Sequence, residues 1–279
     1  MSTVLITGAR GLVGPYLVEA FEKLGNVCTN ARVEGDFPGD LSDARKAREV
    51  IEGAAPNIVV HAAAKTNVDA CEDDPDDADR NNRLATSNII AALRDEAYLV
   101  YLSTDQVYPD KTGLHVEDEA NPVNAYGQSK FEGEVAALAH RQSIVARTNL
   151  FGPSRVEGRK SLSDFVIDSL VARQSITLFE DVLFSPLHVV TLAQTLVEMV
   201  QAGLTGVFNV SSRDGMSKAD FATSIAARCL LQTETARRGC SQEMVGRARR
   251  PLDLRMDPSR LEKALGRSMP TLEEEIAKL

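Results

Sequence analysis

Short apolar runs alternate with amphipathic stretches along the first half of the chain. Residues 4–6 (VLI) form the first apolar run, and Asp74 followed by Pro75 is typical of a helix start, here of a helix that reaches about Leu93. Helical spacing recurs over 12–24 at Val13, Leu17, Phe21 and Leu24. Further strands are predicted at 57–61, 98–103 and 143–147, with a weaker one at 27–29. Since apolar strands that alternate with helices are typical of a parallel sheet covered on both faces, the pattern predicts an α/β fold with a doubly wound parallel sheet.

The pattern loosens after residue 150, where shorter elements follow one another. Helices are predicted at 161–172, 188–202, 217–231 and 271–278, and strands at 176–179 and 206–210. The sequence contains no internal repeat, and no linker-like segment separates its two halves. We therefore expect them to pack as one body with a ligand cleft between them.

Composition and charge narrow the class of protein. Of the 279 residues, 43% are hydrophobic and 25% are charged, which is ordinary for a globular chain, and the net charge of −9 argues against a nucleic-acid partner. No apolar run approaches the roughly 18 residues of a membrane span, so no membrane partner is expected. The start MSTVLIT has no signal-peptide features, and the four cysteines are scattered. We predict a cytoplasmic protein with reduced thiols and no metal site.

The segment 7–14 (TGARGLVG) follows the first predicted strand and opens the first predicted helix. Glycines at this spacing allow a tight turn and let a pyrophosphate approach the helix N-terminus. The candidate cofactor-binding residues of this turn are Gly8, Arg10, Gly11, Leu12, Val13 and Gly14.

The end of the second strand indicates which dinucleotide the turn accepts. A carboxylate there would bind the ribose 2′-hydroxyl of NAD, but residues 28–32 (CTNAR) contain none. Arg10 and Arg32 are instead suited to a 2′-phosphate. We predict a preference for NADPH, with NADH as the alternative.

Tyr126 and Lys130 are one helical turn apart and therefore share a helix face. A nearby ammonium favours the phenolate, so the pair would form a workable general acid. Thr104 follows the third clear strand, at the sheet edge where ligands bind. Gly127 and Gly133 lie in the same predicted helix, which predicts close packing against a neighbour.

These motifs resemble those of the extended short-chain dehydrogenases/reductases, and within them the dTDP-4-dehydrorhamnose reductases and their relatives. The resemblance spans nearly the whole chain. It rests on TGARGLVG (7–14), GDL (39–41), HAAAKTNVD (61–69), the Asn82 region, YLSTDQVYPD (101–110), NPVNAYGQSKFEGE (121–134), RTNLFGP (147–153) and RRPLDLRMD (249–257). It implies a Rossmann-type dinucleotide-binding domain of 1–150 plus about 186–212. A smaller, discontinuous α/β substrate domain would comprise about 151–185 plus 213–279.

The resemblance also implies roles for individual residues. Gly8, Gly11 and Gly14 would hold the pyrophosphate, and Thr104, Tyr126 and Lys130 would be catalytic. The further implied cofactor residues are Asp40, Leu41, Ala62, Ala63, Ala64 and Asn82. The implied substrate residues are Thr66, Val68, Asn149 and Arg250.

Two departures concern the substrate. Gln106 and Leu150 stand where the reductases commonly carry a tyrosine and a tryptophan, so an aromatic side of the sugar pocket is missing. Asn149, before Leu-Phe-Gly-Pro, resembles the sugar-nucleotide epimerases. A related nucleotide sugar is thus as well supported as dTDP-4-dehydrorhamnose.

The leading hypothesis is an NADPH-dependent oxidoreductase that reduces a nucleotide-linked 4-keto-6-deoxy sugar. Two alternatives stay open, a nucleotide-sugar 4-epimerase and a non-catalytic NADP-binding regulatory subunit. A 4,6-dehydratase is disfavoured because Gln106 replaces the glutamate base. A homodimer is a further expectation.

Several other polar residues have simpler structural interpretations. The acidic run 72–79 is expected to be a solvated helix N-terminus. His61 is expected to be structural and His188 a satisfied core histidine. Most arginines between 237 and 260 are expected to be surface charges.

Overall fold

Residues 2–244 and 246–279 are described by a computed structural model of the chain. The strands are β1 (Ser2–Thr7), β2 (Gly25–Asn30), β3 (Ile58–His61), β4 (Tyr98–Thr104), β5 (Ser143–Thr148), β6 (Leu150–Phe151), β7 (Ile176–Phe179), β8 (Leu183–Phe184), β9 (Leu187–His188), β10 (Gly206–Asn209), β11 (Met216–Ser217), β12 (Ala236–Gly239) and β13 (Asp253–Leu254). The helices are α1 (Gly14–Phe21), α2 (Ala44–Ala54), α3 (Val68–Asp73), α4 (Pro75–Asp79), α5 (Ala85–Ala92), α6 (Ala125–Leu138), α7 (Leu162–Val171), α8 (Val189–Gln201), α9 (Lys218–Arg228), α10 (Ser259–Leu265) and α11 (Leu272–Ile276).

Six strands form the central sheet in the order β10-β5-β4-β3-β1-β2, and every pair is parallel. Alternate side chains of each strand enter two separate cores. Val4 and Ile6 pack with α1 and α8, whereas Leu5 packs on the opposite face with α2 and α5. The predicted doubly wound sheet is confirmed, because period-two alternation supplies apolar side chains to both faces.

The second half of the chain builds a smaller core of its own. Phe151, Phe184 and Phe221 meet there edge to face, with ring centroids about 5 Å apart. The small sheets β11-β8-β13 and β12-β7 surround this core. β10 instead returns to the central sheet beside β5. These memberships support the proposed division into two domains.

The elements differ from the sequence pattern in several places. The helix expected at 12–24 spans only Gly14–Phe21, because the preceding residues form the glycine turn. The helix expected from Pro75 to about Leu93 is interrupted by a π-helical segment, Arg80–Leu84. α2 was not predicted, although Asp43 caps it by accepting hydrogen bonds from the Arg45 and Lys46 amides. In the described residues, no helix has both the length and the apolar character needed to cross a bilayer.

Candidate active site

A cleft of about 1660 Å³ opens at the carboxyl ends of the central strands, where open α/β sheets bind ligands. We call the lining residues up to Leu150 in the sequence the first wall of the cleft. The lining residues from Gly158 onward form the second wall. The sequence-predicted site residues that line it are Gly8, Arg10, Gly11, Leu12, Val13, Arg32, Asp40, Leu41, Ala62, Ala63, Ala64, Thr66, Val68, Thr104, Tyr126, Lys130, Asn149 and Arg250. Gly14 and Asn82 lie behind this surface.

The glycine turn has space for a ligand but no space for side chains at Gly8 and Gly14. Gly8 has a φ of +68°, and a Cβ on it would lie 2.6 Å from the Ala63 nitrogen. A Cβ on Gly14 would lie 2.1 Å from the Ala9 carbonyl oxygen. Among the described residues, the backbone amides of Leu12 and Val13 have no hydrogen-bond acceptor. Free amides at the start of α1, beside a bare glycine turn, fit the pyrophosphate of a dinucleotide.

Arg10 and Arg32 lie at the outer end of the first wall, and both side chains are more than half exposed. Arg10 forms an ion pair with Glu34, and the Arg32 Nε lies 3.5 Å from an Asp40 carboxylate oxygen. Arg32 also donates a hydrogen bond to the Asn81 side chain. Two guanidinium groups at this end match the charge of a 2′-phosphate.

Asn82 lies beneath the surface of the cleft and links two segments of the site by hydrogen bonds. Its Nδ2 donates to the Lys65 carbonyl (3.1 Å) and to the Ser129 hydroxyl (2.8 Å), and its Oδ1 accepts from the Lys65 amide (2.8 Å). The side chain thereby ties the segment after β3 to α6, which carries Tyr126. Its polar atoms serve this link and do not face the cleft.

Thr104, Tyr126 and Lys130 meet at the floor of the cleft. The Thr104 hydroxyl accepts a hydrogen bond from the Gln106 amide and donates one to Asp105, both at 3.2 Å. Burial raises the pKa of Tyr126, and a hydrogen bond with Thr104 partly offsets that rise. The Thr104 hydroxyl is thus placed to hydrogen-bond the Tyr126 phenol.

The surroundings of Lys130 differ from what its one-turn spacing from Tyr126 predicts. Its Nζ donates to the Leu102 carbonyl at 2.7 Å and lies 4.0 Å from the centroid of the Tyr101 ring. Burial lowers the pKa of Lys130 to about 7, with Glu134 opposing that change. The expected lowering of the Tyr126 pKa by Lys130 is not found, because the ammonium faces a carbonyl and a ring face.

The two glycines of α6 confirm the predicted close packing. A Cβ on Gly127 would lie 2.2 Å from the Gln106 carbonyl oxygen, and one on Gly133 would lie 2.2 Å from the Tyr101 hydroxyl. Larger residues would push α6, and with it Tyr126, away from β4.

Two polar side chains of the first wall bind each other beside Thr104. The buried Asp105 carboxylate accepts a hydrogen bond of 2.6 Å from Asn149 Nδ2. Burial raises the pKa of Asp105, whereas the bond from Asn149 lowers it. Arg250 reaches the cleft from the other side, and its Nη2 lies 2.9 Å from an Asp69 carboxylate oxygen.

Sequence reasoning missed Lys218 and Arg247, which line the second wall. Lys218 is the first residue of α9 and is half-buried. It follows Ser217, which caps the helix, and this cap is the only local signal at the position. Its distance along the chain from every motif hid its place in the cleft.

The remaining polar residues behave mostly as expected. His61 is buried between the hydroxyls of Thr7 (2.7 Å) and Thr86 (3.1 Å), and burial lowers its pKa to about 3, which fits a structural role. His188 was expected to be satisfied, and this was wrong. Its Nδ1 accepts from the Val190 amide, but its buried Nε2 has no partner within the described part of the chain.

Within the acidic run 72–79, Asp74 caps α4 and Asp77 pairs with Lys65 at 2.8 Å. No cluster of three or more His, Cys, Asp or Glu side chains suited to a metal is found in residues 2–244 and 246–279.

A parallel nucleotide-binding sheet whose cleft presents a tyrosine and a lysine one helical turn apart is the construction of the extended short-chain dehydrogenases/reductases. The protein is a nicotinamide-dependent oxidoreductase of this class. Over residues 1–279 the chain matches the family described as the RmlD substrate binding domain, and it belongs to that family.

Three similar proteins illustrate the range of the family. A probable low-salt glycan biosynthesis reductase, Agl14 of Haloferax volcanii, is 28% identical over 98% of this chain and 96% of its own length. The methionine adenosyltransferase 2 subunit beta of Bos taurus is 31% identical over 93% of this chain and 81% of its own length. A solved dTDP-4-dehydrorhamnose reductase of Bacillus anthracis, in complex with NADP, is 25% identical with a TM-score of 0.90, covering 99% of this chain and 98% of its own.

Proposed function

We propose that the protein uses NADPH to reduce the ketone of a nucleotide-linked 4-keto-6-deoxy sugar. One observation carries the proposal: Thr104, Tyr126 and Lys130 share the floor of a basic cleft in an acidic protein. The charged lining residues are Arg10, Arg32, Lys65, Lys130, Arg159, Lys160, Lys218, Arg247 and Arg250, against Asp40, Asp77 and Asp105. Such a cleft suits two ligands that each carry phosphates.

The family and two similar reductases, Agl14 of Haloferax volcanii and the Bacillus anthracis enzyme, support the reaction class. The Bacillus anthracis reductase was solved with NADP, and Arg10 and Arg32 provide charges for the additional phosphate of that cofactor. When bound, the reduced cofactor would supply the hydride. NADH remains an alternative, since both arginines already have acidic partners.

In this proposal the chain's own residues handle the ketone oxygen. Tyr126 would donate a proton to that oxygen as negative charge develops on it, and Thr104 would hydrogen-bond the same oxygen. Lys130 would hold the nicotinamide ribose. Thr66, Val68 and Asn149 would contact the sugar, and the amide of Gln106 would replace an aromatic surface.

A regulatory role is the second candidate, favoured by the 31% identity to a subunit named as part of methionine adenosyltransferase. Such a role would need dinucleotide binding without turnover. The epimerase alternative uses the same Tyr126–Lys130 pair and is supported only by the environment of Asn149.

The test is loss of NADPH absorbance with a panel of nucleotide 4-keto-6-deoxy sugars. Tyr126→Phe is expected to reduce turnover by roughly a thousandfold or more, because the proton donor is lost, while NADPH affinity stays within about threefold. Tyr98→Phe is the matched control, since its buried hydroxyl has no partner among the described residues and lies outside the cleft.

Substantial residual turnover in Tyr126→Phe would exclude the proposed proton donor. Tight NADPH binding without oxidation by any sugar would favour the regulatory role. Conversion without net oxidation of cofactor would favour the epimerase.

A further inference from the structure

A buried ion pair joins α6 to β5, and the proposed reaction does not use it. The Glu134 carboxylate accepts hydrogen bonds from Arg147 Nη2 at 2.7 Å and from Arg147 Nε at 3.0 and 3.2 Å. Both side chains are at most 3% exposed, and no other ion pair within residues 2–244 and 246–279 has both partners buried. Because desolvation of two charges offsets their attraction, such a pair contributes little net stability, and another role has to explain it.

Arg147 has further partners at its third nitrogen. Its Nη1 donates to the Glu117 carbonyl oxygen at 2.6 Å and to the Tyr108 hydroxyl at 3.1 Å. These bonds leave Nε and Nη2 for the Glu134 carboxylate. Since a guanidinium group is planar and rigid, the two nitrogens hold the carboxylate in one orientation.

Glu134 and Lys130, one turn apart on α6, bind consecutive residues of β4. The Ser103 hydroxyl donates a hydrogen bond to Glu134, and Lys130 Nζ donates to the Leu102 carbonyl oxygen at 2.7 Å. Ser103 directly precedes Thr104, the residue proposed to hydrogen-bond the ketone oxygen. Two side chains of α6 therefore attach the helix to β4 immediately before Thr104.

Titratable groups from four elements surround Lys130 and its neighbour Glu134. They are His61 of β3, Tyr101 of β4, Tyr126 and Glu134 of α6, and Arg147 of β5, which is paired with Glu134. Burial lowers the pKa of His61 to about 3 and raises the pKa of both tyrosines, so these three groups are neutral near pH 7. Asp105, a further buried carboxyl group of the cleft, is already bonded to Asn149. Glu134 is thus the group that offsets the cost of burying the Lys130 ammonium, and it raises the pKa that burial lowers.

We propose that Glu134 is a positioning residue for the reaction: held by Arg147 and bound to Ser103, it keeps Lys130 charged and fixes α6 against the strand that ends in Thr104. The inference rests on the proposed function, because it explains how the chain maintains the lysine that would hold the nicotinamide ribose. A charged ammonium has three N–H donors and donates stronger hydrogen bonds than a neutral amine. Glu134 does not line the cleft and so acts through Lys130 and Ser103.

The experiment is an NMR titration of the cofactor-free full chain, labelled with ¹³C at the lysine Cε atoms. The Lys130 signal is assigned by its absence from the spectrum of Lys130→Met. In the wild type this signal is expected to titrate with a midpoint near pH 7. In Glu134→Gln the midpoint is expected to fall by about one pH unit, because the amide keeps the shape of the side chain but not its charge.

Glu134→Gln leaves Arg147 buried without a counter-charge, so a second variant covers the case in which the first does not fold. Glu134→Gln combined with Arg147→Met removes both charges at similar volume, a replacement that often leaves stability unchanged. Its Lys130 midpoint is also expected below that of the wild type, but by less, since the cation at position 147 is gone. Glu132→Gln, which removes a part-exposed carboxylate from the same helix, is the matched control and should titrate like the wild type.

The consequence for the site is measured as the pH dependence of NADPH affinity and of kcat/KM. Because only the charged lysine donates charge-assisted bonds, both quantities are expected to decline as the pH rises past the Lys130 midpoint. The decline should begin about one pH unit lower in Glu134→Gln than in the wild type. A purely structural role would lower stability or the maximal rate and leave the position of this decline unchanged.

The outcomes separate this inference from the proposed function. A wild-type Lys130 midpoint in the variants that lack Glu134 would overturn the inference, and so would a shifted midpoint with no shift in NADPH affinity and kcat/KM. If the midpoint and NADPH affinity shift together but the wild type reduces no keto sugar, the role of Glu134 stands and the proposed reaction falls. If the wild type reduces a keto sugar and the midpoint does not move, the reaction stands and the role of Glu134 falls.

Discussion

The two walls of the cleft meet anions in different ways. The first wall offers backbone amides at the start of α1, exposed by glycines that leave no room for side chains. The second wall offers side-chain cations from three separate segments of the chain. A backbone site is fixed by local conformation, whereas a side-chain site exists only once distant segments have packed together.

The walls also differ in how their charges are balanced. Arg10, Arg32 and Lys65 on the first wall each have an acidic partner nearby. On the second wall Lys218 has none within the described residues. A ligand that binds the side chains of the first wall must displace existing ion pairs, so its net electrostatic gain is smaller than beside Lys218.

We expect the largest effect from a substitution that disrupts the backbone of the first wall. Gly14→Ala would set a Cβ 2.1 Å from the Ala9 carbonyl, so the turn or α1 must move. We expect the free energy of unfolding to fall by roughly 3 kcal/mol and NADPH to bind at least about tenfold more weakly. Denaturant unfolding and fluorescence titration would measure both quantities.

Gly203→Ala is the control for this change. Gly203, unlike Gly14, has a positive φ (+63°), but a Cβ there would meet nothing within 4 Å, so only about 1–2 kcal/mol of backbone strain is expected. Equal effects of the two substitutions on stability and on NADPH affinity would contradict the tight fit of the turn.

We expect a smaller effect from removing the side-chain charges of the first wall. Changing both Arg10 and Arg32 to Ala should weaken NADPH by about tenfold and leave NADH within about threefold, because only NADPH carries the 2′-phosphate. Arg45→Ala, on α2 and outside the cleft, is the matched control. Parallel losses for both cofactors would remove the proposed NADPH preference.

Per pH unit, the smallest effect is a pH dependence at Lys130, on the floor of the cleft. Its pKa is about 7 in the folded protein against 10.5 for an ordinary lysine, so between these values the unfolded chain binds a proton that the folded chain does not. The free energy of unfolding should therefore rise with pH from 7 to about 10, by at most roughly 1.4 kcal/mol per pH unit. Below pH 7 both states are charged, and this contribution is constant.

Lys130→Met lacks this group, so its stability curve should rise less steeply over the same range. His61, whose pKa burial lowers to about 3, remains in both proteins and titrates below this range. Parallel curves for wild type and variant in chemical unfolding between pH 7 and 10 would show that the Lys130 pKa is not lowered.

Prediction from sequence succeeded where one segment holds its own signal. The glycine turn, the apolar strands and the Tyr126–Lys130 spacing each lie within a few residues, and the chain places all three at one sheet edge. α2 shows that a local signal can also be overlooked, since its cap at Asp43 and its apolar spacing were present. His188 shows the limit, because satisfaction of a ring nitrogen depends on neighbours from other elements.

The sequence by itself determined the doubly wound sheet, the glycine turn and the residues proposed to be catalytic, because backbone conformation and helix spacing are local properties. Only the tertiary structure decided that Lys130 faces the Leu102 carbonyl, that Asn82 acts from behind the site, and that Lys218 enters the cleft. Burial, pKa and charge balance depend on groups that are distant in the sequence, 28 residues apart for Lys130 and Leu102 and 47 for Asn82 and Ser129. Those groups become neighbours only when the chain folds.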